Sequence, residues 1–231
     1  MFSRRTFSTA LGSLVLAGAA RPLVAQDVEV SPLPPGPGSA ETHLRVFLEG
    51  REVGTWEIAL NRDEDALRVD TLIDIVRTRF AGLPVDSYTL ETRETWSGGL
   101  LRALKSTARG SGERREVRAG MQDGSLHLEG PGYEGQVPAN TGTSSLFSRD
   151  MLERATWIDT DSGQLLSISS DLGRRVKIGG TEFDEYLVSS ETEAKLFYTD
   201  DGRFGGAVMK LMGASARILP GQVSAIDPSL G

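Results

Sequence analysis

The sequence has no cysteine, which excludes disulfides, thiolate metal sites and a cysteine nucleophile together. Stability must come from packing. Histidine is scarce. His43 and His127 are the only two, so a histidine-paired catalytic or metal role requires both to converge in space. No Gly-x-Ser-x-Gly elbow occurs, and no Asp–His partners can be assigned to the serines around 143–145. The apolar stretch at 10–20 is too short to span a bilayer, so no transmembrane anchor is expected. With 39% hydrophobic and 25% charged residues, the remainder reads as an ordinary globular chain.

The first residues are basic and the rest is acidic. Ser3-Arg4-Arg5-Thr6-Phe7 is similar to the twin-arginine export consensus S-R-R-x-F. A short apolar stretch diluted by glycines and alanines follows, and Arg21 comes after it. Residues 1–25 are therefore expected to be a twin-arginine signal peptide, with cleavage after Ala25 or after Ala19; a general secretion signal with an incidental arginine pair is the alternative. The place of action is expected to be the periplasm, and the export machinery a transient partner. Removing Arg4, Arg5 and Arg21 from a net charge of −7 leaves −10. A body that acidic disfavours nucleic acid as a partner.

Residues 26–41 carry four prolines and two glycines, a composition expected to form a flexible leader. Residues 42–220 are expected to form a single β domain, and 221–231 a C-terminal tail. Apolar residues recur at every second position at Leu44, Val46 and Leu48. They resume at Trp56, Ile58 and Leu60 after Glu49-Gly50, which predicts a hairpin. Leu67, Val69, Thr71, Ile73 and Ile75 continue the alternation, while Leu72 and Val76 make the other face partly apolar, as in a central strand. Further strands are expected at 85–95, 100–107, 114–121, 125–129 and 133–137. The second half predicts 156–160, 164–171, 174–178, 182–190, 194–199, 203–210 and 214–219. One short helix is expected at 148–155, with Ser148 as its cap, dividing two β blocks. So many short strands with turns about every ten residues predict an all-β fold: an antiparallel meander forming a strongly curved sheet or incomplete barrel.

Each candidate for chemistry has a plainer reading beside it. His43 and His127 read as solvent-facing strand residues. Asp159 to Gly163 resembles the opening of a calcium loop, but no ligand glutamate follows at the required distance, so a hairpin turn is favoured. Arg102, Lys105, Arg109, Arg114, Arg115 and Arg118 are suited to an anionic headgroup or partner, or to a solvated hairpin face with Glu113 and Glu116. Met209 and Met212 suit an adaptable apolar pocket or the core.

Glu94-Thr95-Trp96, Gly99, Leu101, Leu104, Ser106-Thr107 and Gly112 resemble the E-x-W…G-x-L…L-x-S-x-T…G core of the proteobacterial family domain of unknown function 6134. Residues 141–147, Asp161-Ser162-Gly163-Gln164-Leu165 and the hairpin 197–203 are similar to its remaining segments, with Phe147 and Phe197 where the family typically has tryptophan. The resemblance implies an exported β protein and assigns no activity. The residues themselves suggest a non-enzymatic periplasmic module holding an apolar or amphipathic, lipid-like small molecule, with Trp56, Trp96, Trp157, Met209 and Met212 as candidate ligand contacts. The alternatives are an enzyme acting on such a ligand, with His127 or Glu94 as base, and an envelope module that binds a protein partner through a sheet edge. No cofactor or metal ligand set is found.

Overall fold

The computed structural model describes residues 39–78, 84–110 and 112–221. The expected signal peptide, the expected leader up to 38 and the expected tail from 222 lie outside these residues. Residues 39–41, assigned to the leader on composition, instead begin the first strand, β1 (Ser39–Leu48), where they pair with β2 (Arg51–Asp63).

The strand period governs the fold. Along β3 (Ala66–Thr78) the residues Leu67, Val69, Thr71, Ile73 and Ile75 are all buried, whereas Leu72 and Val76 are 37% and 43% exposed. One face packs and the other meets solvent, so the central position was read correctly but the second face is not covered. Next come β4 (Pro84–Ser97), β5 (Leu100–Gly110), β6 (Glu113–Gln122), β7 (Ser125–Gly130) and β8 (Tyr133–Val137), each antiparallel to its predecessor. Two-residue turns join several of these strands. Glu49-Gly50 and Asp123-Gly124 both have positive φ at their two central positions, the geometry whose twist matches that of the flanking strands.

The second half does not form a separate block. β12 (Ser169–Ile178), β13 (Thr181–Ser189), β14 (Glu193–Tyr198), β15 (Phe204–Leu211) and β16 (Ala214–Pro220) form a second meander, and β16 pairs antiparallel with β1. One sheet of 13 strands results, running from β12 through β16, then β1, to β8. It does not close, and β12 and β8 are its two edges. The strand expected at 164–171 is divided at Ile168, whose N–H bonds the Ala155 carbonyl; residues 165–167 and 169–178 belong to different sheets. The end of that expected strand, from 169, and the strand expected at 174–178 are one strand with an irregularity between Leu172 and Arg175.

Between the two edges the chain crosses over through 138–168. This crossover holds a small sheet of β9 (Gly142–Thr143), β10 (Thr156–Ile158) and β11 (Leu165–Ser167). Its helix is a single 3-10 turn, Arg149–Glu153, capped by the Ser148 hydroxyl, which accepts from the Asp150 N–H. Leu146, Phe147, Met151, Leu152, Trp157 and Ile158 of the crossover belong to the same buried core as the inward residues of the large sheet. The curved sheet is thus filled by its own chain. A smaller cluster of Val176, Ile178, Phe183, Phe197 and Leu219 packs separately.

Candidate functional site

Two of the segments that carry the sequence resemblance, 94–96 and 141–147, meet where β4 faces the crossover. Glu94 and Trp96 lie two apart on one strand and so point to the same inner face. Both are completely buried. The Trp96 indole N–H donates to Glu94 Oε2 at 2.7 Å, and the Thr143 hydroxyl of β9 donates to the same oxygen at 3.1 Å. Thr143 and Ser145 exchange a 2.8 Å hydrogen bond. Phe147 meets the Trp96 ring edge-on, with centroids 5.6 Å apart, and the Arg154 guanidinium lies 5.1 Å from the same ring centre. Arg154 also donates to the Gly99 carbonyl at 2.6 Å and the Asn140 carbonyl at 3.2 Å. These bonds tie the crossover to β4 and to the β4–β5 turn.

Burial pushes the Glu94 carboxyl up from the ordinary value to about 7, against the hydrogen bonds of Ser145, Trp96 and Thr143, which hold it down. Oε1 has no hydrogen-bond partner among the described residues. An ionised carboxylate here would leave one oxygen uncompensated. The protonated form suits the site better. Glu94 is fully buried, so in this conformation it pins the crossover and reaches no substrate.

The other end of the crossover is held by charge. Arg115 donates twice from Nη2 to Asp161, at 2.7 and 2.9 Å, and Tyr88, largely buried beside Asp161, has its hydroxyl pKa driven upward first by burial and then by the neighbouring acids. Asp159 accepts from the Asp161 N–H and the Ser162 hydroxyl, so 159–163 is a self-bonded hairpin turn, as expected. Among the described residues no group of three or more His, Asp or Glu side chains is placed to hold a metal.

The tryptophans pack rather than line an opening. Trp56 and Trp157 are 4% exposed and Trp96 is 0% exposed; Trp56 meets Phe204 with tilted rings, centroids 5.6 Å apart, and Trp157 donates to the Met151 carbonyl. Met212 sits in the β15–β16 turn with positive φ, half-buried against the core. His43 is exposed on β1 beside Glu41 and Glu57. His127 lies on β7, six strands away in the sheet, and the two do not meet.

Met209 does border an opening, a groove of about 400 Å³ over β13 to β16. Its floor follows one register row: Leu187 opposite Lys195, and Lys195 opposite Val208. Leu187 is 45% exposed. Lys195 is half-buried and Lys210 stands at the rim; neither has an ionic partner among the described residues. Asp171 and Glu193 also line the groove. Residues sequence reasoning missed, Leu187 and Lys195, carry no motif; only the register brings them together with Val208.

The fold defines a class of all-β proteins with an open, barrel-like sheet. The chain belongs to the family described as domain of unknown function (DUF6134), which it matches over residues 44–220. A solved structure similar to it is a β-barrel-like protein of domain of unknown function DUF1849 from Brucella abortus, at 9% identity and a TM-score of 0.55, covering 79% of this chain and 94% of that chain. At that identity the likeness is one of fold. No curated protein sequence matches the chain. No helix among the described residues is long and apolar enough to cross a membrane.

Proposed function

We propose that the protein works in the periplasm as a non-enzymatic module that binds an amphipathic anion in the groove over β13 to β16. The observation that carries this reading is Lys195: a half-buried lysine with no ionic partner among the described residues, flanked directly across the strands by exposed Leu187 and by Val208. A lysine standing among apolar neighbours without an acid on it offers an anionic head a charge-assisted hydrogen bond, and the apolar floor on either side suits a hydrocarbon chain. A volume of about 400 Å³ is within the usual range for small-molecule sites. The interior of the sheet is taken by the crossover, which directs a ligand to the outside. Export rests on the sequence around Arg4 and Arg5.

Native mass spectrometry on protein purified from the periplasm, followed by oleate titration of the delipidated protein, tests the reading. An anionic amphiphile is expected in the native spectrum, and oleate binding is expected to be lost in Lys195→Glu and Leu187→Asp. Failure of oleate and of any native ligand to bind would remove it. Replacing Arg4 and Arg5 together by Lys is expected to retain the precursor in the cytoplasm; normal export of that variant would remove the twin-arginine assignment.

A further inference from the structure

We propose that a second face of the sheet, the outer side of β4, β5 and β6, binds a phosphate-type anion at Lys105, between Arg93 and Arg118. The register sets Arg93 directly opposite Lys105, and Lys105 directly opposite Arg118. Further along β5, Arg109 stands opposite Arg114. Like charges facing each other across strands destabilise a sheet. In the same row Asp70 faces Arg93 on one side and Glu129 faces Arg118 on the other, so Lys105 alone has a cation on both sides.

The acids nearby account for the arginines. Asp70 holds Arg93 at 2.6 Å, Glu91 holds Arg109 at 2.8 Å, and Glu116 sits between Arg114 and Arg118 at 2.5 and 2.8 Å. Lys105 lines the same groove, of about 760 Å³, and among the described residues it has no ionic partner. The paired guanidiniums are fixed in orientation by their carboxylates, which leaves an ammonium with a guanidinium on each side. A phosphate-type group can turn a separate oxygen to each of the three donors, where the two oxygens of a carboxylate would have to be shared among them. The far wall of the groove carries Glu41, Glu57 and His43, so an anion is directed to the β4–β6 wall. Of the basic run read from the sequence, Lys105, Arg109, Arg114 and Arg118 share this face, while Arg115 points inward to Asp161.

Lys105→Glu separates a binding role from a folding role, because it turns two repulsive cross-strand pairs into attractive ones. The variant is expected to unfold at a higher urea concentration than the wild type while its affinity for inorganic pyrophosphate, measured by calorimetry at low ionic strength, falls at least about tenfold. Lys105→Gln is expected to weaken binding less, and Lys210→Glu, in the other groove, to leave it unchanged. Co-sedimentation with phosphatidylglycerol vesicles runs in parallel: loss of pyrophosphate binding alone identifies a free phosphate compound, and loss of vesicle binding identifies a lipid headgroup. The proposal is overturned if the wild type binds neither probe, if Lys105→Glu binds like the wild type, or if that variant gains no stability. The oleate titration of Lys195→Glu reads the other groove, so the two failures are distinguishable.

Discussion

Replacing Glu94 by Gln is expected to make the protein more stable at alkaline pH and to leave it nearly unchanged in acid. The folded-state pKa of about 7 lies above the ordinary value of 4.5. A carboxyl raised in this way favours the fold when protonated: its contribution is complete below about pH 4.5 and is lost as the pH rises through 7. The difference between those values corresponds to about 3 kcal/mol at full ionisation. Glutamine is neutral at every pH, and its carbonyl can accept from both Trp96 and Thr143. Urea unfolding of both proteins from pH 5 to 8.5 gives the difference directly, and other titrating groups cancel in it. The stability of Glu94→Gln relative to wild type should climb from about 1 kcal/mol at about pH 5 to about 3 kcal/mol at about pH 8.5. A flat difference would refute the reasoning, because it would mean that the carboxyl is either solvated or already neutralised by a partner.

Two further substitutions test how the crossover and the sheet hold together. Phe147→Ala removes a buried ring from the edge of Trp96 and is expected to cost about 3 to 5 kcal/mol in urea unfolding, with a changed near-ultraviolet signal from Trp96; a loss under about 1 kcal/mol would show that the crossover is not a structural part of the core. Gly206→Ala places a Cβ 2.4 Å from the Ile218 carbonyl oxygen at a φ of +148°, so it is expected to destabilise by more than about 1 kcal/mol, and an unchanged midpoint would mean that β15 and β16 can separate there at no cost.

The strands were legible because burial on one face of a sheet imposes a period of two on the sequence, and the alternation at Leu67 to Ile75 shows that period with only one interruption in hydrophobicity, at Thr71. The turns were legible for a similar local reason: Glu49-Gly50 and Asp123-Gly124 adopt backbone angles that few residues accept. The single short helix was placed by its cap, Ser148, although its length does not decide between α and 3-10 forms. The family resemblance covered Glu94 and Trp96 in one segment and residues 141–147 in another, and nothing in the sequence brought the two together.

Local sequence therefore determined strand positions, turn types and the all-β class, since each depends on neighbours a few residues apart. Tertiary structure alone decided that β16 returns to β1 and makes one sheet of two expected blocks, because cross-strand pairing between segments so distant in sequence leaves no local pattern. It also decided that the crossover fills the sheet, which buries the tryptophans and lifts the Glu94 pKa through desolvation. The same register puts Lys195 between Leu187 and Val208, and Lys105 between two arginines; in the sequence these residues are scattered, and only the lateral order of strands makes them neighbours.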